Sequence, residues 1–283
     1  MILSLRRVGV WVLGAALTAC GTAEPPRKAP APVSATPSRP PTLAPGPAGL
    51  TPVFEHGSRR RGQTVALTFD ADMTAGQGAR AAAGERFDHP RLVSTLRALK
   101  VPATVFMTGR WAEEYPDQAR SIGRDPLFEV ANHSYSHYAY ARDCYGLPTV
   151  PGKLMRSDVE RAYAAFRKAG VRDPMPYFRF PGGCYDRRAL RALTPTGVTA
   201  VQWDVVGGDA FEPDADVVAR QVLDGVRPGS VVVLHCTRSA APATERAVRL
   251  IVPELRRRGF RLVKVSELIG AADGGARTGH RAR

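Results

Sequence analysis

Lysine is scarce. Of forty basic side chains only five are lysine, at positions 28, 100, 153, 168 and 264, and the rest are arginine. Acidic residues are short as well, twenty-six against forty, so the formal net charge is +14. The excess is unevenly placed: residues 1–20 carry +2, residues 21–62 carry +4 and residues 271–283 carry +2, leaving +6 for residues 63–270. A mildly basic body between basic flanks suits contact with an anionic membrane or cell wall. It lacks the concentrated basic face of a specific nucleic-acid reader. No repeat at a solenoid period is present, and cysteines number only four. What is present is 44% hydrophobic and 23% charged residues over 283 positions, which excludes a disordered chain or a bare coiled coil and allows a large buried core.

The first twenty residues have a basic start, Arg6 and Arg7, then an apolar run from Val8 to Leu17 and small residues up to Cys20. That run is too short to span a bilayer comfortably and has the proportions of a secretory leader. Its end, Leu17-Thr18-Ala19-Cys20, resembles the bacterial lipobox, which implies removal of residues 1–19 and lipidation of Cys20. Two or more acyl chains are what stable membrane anchoring requires. Residues 20–62 are rich in Pro, Ala, Thr and Ser and are expected to form a solvated tether. Arg59, Arg60 and Arg61 near its end read as a solvated charge run, with anionic headgroups or polymer as an alternative contact. Residues 271–283 are expected to be a flexible tail. The expected location is extracytoplasmic, on a lipid anchor.

Residues 63–270 alternate short β-branched runs with helical patterns, the signature of an α/β fold with parallel strands in a single domain. Strands are expected at 64–69, 103–108, 128–132, 177–180, 199–205, 230–234 and 261–265. Helices are expected at 90–99, 112–122, 153–169, 187–193, 214–226 and 244–258. The polar residues then sort themselves. Asp70 and Asp72 follow the first strand, His133 and His137 the third, Arg179 the fourth, Asp204 to Asp209 the fifth, and His235 ends the sixth. Groups gathered at the carboxyl ends of successive parallel strands converge on one face of a barrel.

His133 and His137, four apart, can be aimed at one ion by a helical turn or a tight loop. Carboxylates at the end of a buried strand are costly unless a cation compensates them. Two imidazoles and one carboxylate suit zinc or a similar divalent ion with positions left for water and substrate.

With these residues in place the chain resembles the polysaccharide deacetylase family, also called the NodB-homology or carbohydrate esterase family 4. The resemblance rests on five segments in family order: Thr68 to Asp72, His133 to His137, Arg179 to Gly183, Trp203 to Asp209, and Val233 to His235. It covers roughly residues 63–270 and implies a distorted (β/α)7 barrel that removes acetyl groups from N-acetylated sugars with a divalent metal and water. Carried over residue by residue, Asp70 is the general base. Asp72, His133 and His137 hold the metal, zinc first, with cobalt, nickel or manganese as alternatives. Arg179 orients Asp70, a backbone amide near Gly182 helps the oxyanion, His235 protonates the departing amine, and Asp209 orients His235.

Three departures stand out. The family opens Asp-Asp-Gly, with the second Asp on the metal, whereas here that position is Ala71 and the next carboxylate is Asp72. A slip of one residue at a strand end turns a side chain the other way unless the loop bulges, so Asp72 is expected as third ligand only by adjustment, with Asp88 or a water as substitutes. The family aromatic on the Arg-x-Pro loop is Gly182 here, and the Trp after the later Asp is Ala210. A rebuilt sugar platform is expected from Tyr185, Trp203 or Phe211. Trp203 is also a core candidate, and Asp204 ranks below Asp209 as a catalytic group. Outside the cell thiols tend to oxidise. Cys144 with Cys184 would join the His loop to the Arg-Pro-Gly loop, a pairing through Cys236 is the rival, and a Cys metal ligand is a third reading.

The leading function is a membrane-tethered N-deacetylase acting on cell-envelope glycan, peptidoglycan above all, as a monomer and without nucleic acid. The alternatives are an O-acetyl polysaccharide esterase, and a non-catalytic glycan-binding lipoprotein on a degenerate deacetylase scaffold.

Overall fold

The structure is a computed structural model and describes residues 39–278. The leader, Cys20 and the first part of the tether lie outside the described residues, as do residues 279–283. Nine strands form one sheet: β1 (Val53–Phe54), β2 (Thr64–Ala71), β3 (Ala103–Met107), β4 (Phe128–Asn132), β5 (Tyr177–Phe178), β6 (Thr199–Val201), β7 (Val205–Val206), β8 (Ser230–His235) and β9 (Arg261–Leu262). Their spatial order is β1-β6-β5-β4-β3-β2-β8-β7, with β9 on β2, and each pairing is parallel. Strands β1 and β7 are the two ends of this path, so the barrel is curled and open. This is the distorted parallel barrel that the resemblance implies.

Helices pack outside the sheet at α1 (Gly78–Ala82), α2 (Pro90–Ala98), α3 (Gly109–Glu114), α4 (Pro116–Gly123), α5 (Met155–Ala169), α6 (Arg187–Leu193), α7 (Ala215–Gly225) and α8 (Thr244–Arg257), whereas α9 (Val265–Thr278) packs Val265, Leu268 and Ile269 against the side chains of the inner face. No helix among the described residues is long and apolar enough to cross a membrane. Helix α5 ends as its sequence suggests, with Gly170 at φ 81° in the left-handed conformation that glycine adopts without a Cβ penalty. The single helix expected over 112–122 is two. Tyr115 breaks it because Pro116 disfavours helical backbone in the residue before it.

Side-chain alternation along the strands decides what faces inward. On β2, Val65, Leu67, Phe69 and Ala71 pack outward in the cluster that includes Leu92, Trp111, Phe166 and Ile251 of the helices. Ala66, on the other face, joins Phe106, Ala131, Tyr177 and Val231 in a second cluster inside the barrel. Since strand side chains alternate with period 2, residues of the inner parity include Asp70 with Ala66, His133 with Ala131, Arg179 with Tyr177 and His235 with Val231. The parallel register aligns the strand ends: Asp70 lies opposite His235 and Phe106, Met107 opposite Asn132, and Asn132 opposite Phe178. Alternation supplies the direction and register the height, so these polar groups meet at one rim.

Two expectations require correction. The tether does not run to residue 62. Thr51 and Phe54 are buried, and β1 docks on β6, where Ala200 N–H donates to Pro52 O and Gln202 N–H to Phe54 O, each at 2.8 Å. Gly57 N–H also donates to Gly229 O at 2.8 Å, and Arg59 pairs with Asp204 at 2.7 Å. The Pro-rich composition hid a strand of two residues whose apolar side chain suffices to anchor it. The strand expected over 199–205 is two pieces, β6 bonded to β5 and β1, and β7 bonded to β8, with 202–204 crossing between them. At the other end, the helical backbone of α9 continues through Thr278, into the segment expected as tail.

Candidate active site

Arg179 is fully buried, and its Nη1 donates to Asp70 Oδ1 at 2.7 Å. Its Nε donates to Val201 O at 3.2 Å, and the guanidinium lies 3.9 Å from the Phe106 ring centroid and 5.4 Å from that of Trp203. A guanidinium enclosed in this way needs its carboxylate, which fixes the rotamer of Asp70. The second oxygen of Asp70 faces His133, with Oδ2 3.6 Å from Nε2.

His133 Nδ1 lies 2.9 Å from the Arg179 carbonyl, an acceptor, so Nδ1 carries the proton and donates. Burial pushes the imidazole down to about 4, against the opposing pull of Asp70, so it is neutral near pH 7 with the Nε2 lone pair free. His137 Nε2 stands 3.3 Å from Asp72 Oδ2, and the two imidazole centroids are 5.0 Å apart. Burial alone would raise the Asp72 carboxyl. The imidazoles of His137, His235 and His133 and the Thr237 hydroxyl outweigh it and hold the group below its ordinary value. Thr237 also accepts from the Asp72 backbone N–H at 3.1 Å, and its hydroxyl contacts Asp72 Oδ1.

The sequence left the direction of Asp72 open, and strand parity resolves it without a bulge. Asp72 is two residues beyond Asp70 and returns to the inner side, whereas Ala71 points outward into the helix-facing core, fully buried. An aspartate at position 71 would therefore have entered apolar packing.

On the far side of Asp72, His235 is anchored by Asp209. Asp209 Oδ1 accepts from Nδ1 at 2.9 Å, while Oδ2 accepts from the His235 backbone N–H at 2.8 Å and from Thr244 Oγ1 at 2.6 Å. Burial alone would lower the imidazole, but the charge and hydrogen bond of Asp209, helped by Asp72 and Asp70, push it up to about 10. Two histidines at one rim thus have opposite protonation states, one neutral and one cationic.

Sequence reasoning missed the residues that shape the His loop. Ser134 and His137 are left-handed, at φ 69° and 55°, so the pair is presented by a tight loop rather than a helical turn. Asp158 of α5 holds that loop: Oδ2 accepts from Tyr135 N–H, Ser136 Oγ and Tyr140 OH, each at 3.2 Å. Asn132 Oδ1 accepts from Ser134 N–H at 2.8 Å. Asp158 sits twenty-one residues past His137 inside a regular amphipathic helix, where nothing local separates it from a surface carboxylate.

The other candidate residues fall elsewhere. Asp204 accepts from Ser230 Oγ, Val231 N–H and Arg59 and is structural. Asp88 is clamped by Arg86 through two bonds of 2.7 and 2.6 Å, which removes it as a substitute ligand. Gly183 N–H is spent on Phe180 O at 2.8 Å, in the turn that was expected to supply an oxyanion donor near Gly182. Cys144 and Cys184 form the disulfide, and Cys236 is a free buried thiol pushed up to about 12 by burial and by Asp88 and Asp72.

The donor chemistry suits a divalent cation. Two donors each about 2.0–2.1 Å from one tetrahedral ion stand about 3.3–3.4 Å apart, and Asp72 Oδ2 and His137 Nε2 are separated by 3.3 Å. His133 has the neutral, carbonyl-oriented ring that metal ligands show. No group of three or more His, Cys, Asp and Glu side chains forms a complete cluster among the described residues. A cavity of about 200 Å³ opens beside the pair, lined by Asp72, His137, Thr237, Leu147 and Arg80 among others.

A carboxylate braced by a buried arginine, a neutral imidazole beside a carboxylate and a cationic imidazole on one barrel rim define a hydrolase of the α/β-barrel class. The family model for polysaccharide deacetylase matches residues 57–201, and the chain belongs to that family. It is 29% identical over 193 residues to a chitooligosaccharide deacetylase of Bradyrhizobium sp. (strain ANU 289), covering 64% of this chain and 84% of that one. It is 27% identical over 182 residues to a peptidoglycan-N-acetylglucosamine deacetylase of Bacillus cereus, covering 64% and 81%. Among solved structures, the Bc1960 peptidoglycan N-acetylglucosamine deacetylase in complex with a naphthalenyl-N-oxidanyl-benzamide superposes with a TM-score of 0.65 at 25% identity, covering 77% of this chain and 92% of that one.

Proposed function

We propose that this protein is a metal-dependent deacetylase that hydrolyses N-acetyl groups on sugars of cell-envelope glycan, with peptidoglycan as its substrate. The observation that carries the reading is the opposite states of His133 and His235 on either side of Asp72: one imidazole free to ligate, the other charged and able to give a proton. His133, His137 and Asp72 would hold a divalent cation, zinc by preference. Such an ion supplies positive charge that polarises the acetyl carbonyl and acidifies water.

The chain's own residues do the rest. Asp70, fixed by Arg179 at 2.7 Å, takes a proton from the attacking water. The water oxygen bonds to the carbonyl carbon, and as the C–N bond breaks the departing nitrogen takes a proton from His235 Nε2. Asp209 on Nδ1 keeps that ring charged until then. An amine leaving group needs this proton, which favours amide over ester as the natural substrate.

We further propose export and anchoring through Cys20, on the basis of the leader alone. Cys20→Ser should move the protein from the membrane to the soluble fraction. The activity is tested by measuring metal content of the purified protein together with acetate release from N-acetylglucosamine oligomers and peptidoglycan. Acetate with matching free amine supports the reading, acetate without amine indicates an O-acetyl esterase, and glycan binding with no acetate after zinc or cobalt reloading indicates a binding protein.

A further inference from the structure

The loop that follows the His pair displays an aromatic where solvent would ordinarily take a small residue. Tyr145 is 76% exposed and left-handed, at φ 49°, between Asp143 at 56° and Gly146 at 72°. A bulky side chain in that conformation costs backbone energy, and here burial does not repay it. Phe211, two residues past Asp209, is 83% exposed, and its ring centroid is 6.3 Å from that of Tyr145. The two loops belong to opposite halves of the site, one to the His pair and the other to the Asp209–His235 pair.

The disulfide explains why an aromatic comes from this loop. A Cβ at Gly182 would lie 2.6 Å from Cys144 Sγ and 3.3 Å from Tyr145 Cδ2, and one at Gly183 would lie 2.6 Å from Trp203. Neither Gly182 nor Gly183 can therefore carry an aromatic, because the Cys144–Cys184 bridge and Tyr145 occupy the space at the first and Trp203 that at the second. Leu147, two residues beyond Tyr145, lines the cavity with Asp72 and His137. The other aromatics expected for a platform are engaged: Tyr185 is stacked on Phe180 at 4.9 Å and 17°, and Trp203 backs Arg179 and Gly183.

We propose that Tyr145 and Phe211 together form the platform on which a pyranose ring of the glycan, next to the reacting unit, stacks its apolar C–H face. Tyr145 is the specificity-determining residue, and the Cys144–Cys184 bridge holds its loop over the site. The inference rests on the deacetylase reading for its substrate class. Paired, exposed rings at the mouth of a polar site offer large apolar area at little side-chain entropy cost, which suits a ligand with one apolar face and hydroxylated edges.

The test uses the metal-loaded protein with chitopentaose as the oligomer and 4-nitrophenyl acetate as a small ester that does not reach the platform. Tyr145→Ala and Phe211→Ala should each raise KM and Kd for chitopentaose about tenfold, with kcat and the small-ester rate unchanged. Tyr145→Phe should stay near wild type. Reduction of the disulfide should raise KM in the same way, and an unchanged KM overturns the tethering role. If both alanine variants keep KM and Kd within twofold of wild type, the platform is overturned while the deacetylase reading stands. If the wild type releases no acetate yet binds chitopentaose, and Tyr145→Ala weakens that binding, the platform stands and the deacetylase reading falls.

Discussion

Asp209 grips His235 twice, through the ring Nδ1 at 2.9 Å and through the backbone N–H of the same residue at 2.8 Å. One carboxylate thereby sets both the charge of the imidazole and its place on the strand end. Asp209→Asn should keep the backbone bond and lose the charge, so kcat on N-acetylated glycan should fall about 10²–10⁴-fold. The alkaline limb of the pH profile should move to lower pH, because the anion that raises the imidazole is gone. A profile that keeps its alkaline limb in place would show that another group is the acid.

The same pair gives a stability signature. His235 is raised from its ordinary value to about 10 in the folded chain, so it stabilises the fold fully below about pH 6.5, and that contribution fades as pH rises through about 10. Urea midpoints of metal-free protein measured from pH 6 to pH 11 should decline over that window, and the decline should be much smaller in Asp209→Asn.

Asp70→Asn should abolish turnover and leave metal uptake largely intact, since Asp70 is outside the set Asp72, His133 and His137. It should also cost stability. Arg179 has 0% side-chain exposure and would lose the carboxylate paired with it, which leaves a buried charge uncompensated at about 3–5 kcal/mol. Acetate release, metal content and a denaturant midpoint on one preparation check all three.

Much of this site was legible because it obeys two local rules. Strand-end position and period-2 alternation assign Asp70, His133, Arg179 and His235 to one rim, and both can be counted along the chain. Asp72 was named as a ligand, but its direction stayed open because its position was measured from the family spacing rather than from Asp70, two residues earlier on the same face. Asp158, Thr237 and Thr244 were invisible, since each acts through a tertiary contact with no signal in its own neighbourhood. The dock of β1 was hidden for a different reason: proline and alanine dominated the composition, while Phe54 alone provides the buried ring.

That dock yields its own test. A chain starting at residue 39 should be markedly more stable than one starting at residue 63, which loses β1 and the Arg59–Asp204 pair. Phe54→Ala in the longer chain should cost about 3–5 kcal/mol, read as a shift in thermal or denaturant midpoint. Equal midpoints for the two chains would mean that the segment does not belong to the folded domain.

Asp158→Ala removes the acceptor that gathers Tyr135 N–H, Ser136 Oγ and Tyr140 OH, and frees a loop that holds two residues in left-handed backbone. Metal affinity should fall about 10–100-fold although no proposed ligand has changed. Competition with a chromogenic chelator gives the number, and an affinity within twofold of wild type would remove Asp158 from the site's support.

The sharpest test exchanges Ala71 and Asp72 in function. If Asp72 holds the metal from the inner face, Asp72→Ala should lose most metal binding and turnover while leaving the fold near wild type, because the residue lies past the strand end and is partly exposed. Ala71→Asp should do the reverse. Ala71 is fully buried among the outward apolar residues of β2, so a carboxylate there costs several kcal/mol, on the order of 2–5, and adds no ligand. The double variant Ala71→Asp with Asp72→Ala restores the family's spacing on paper, yet it should be both unstable and inactive, since the side chain at 71 faces the helices. Recovery of metal binding and acetate release in that double variant would mean that the strand end can rotate to present position 71, and the parity argument would fail with it.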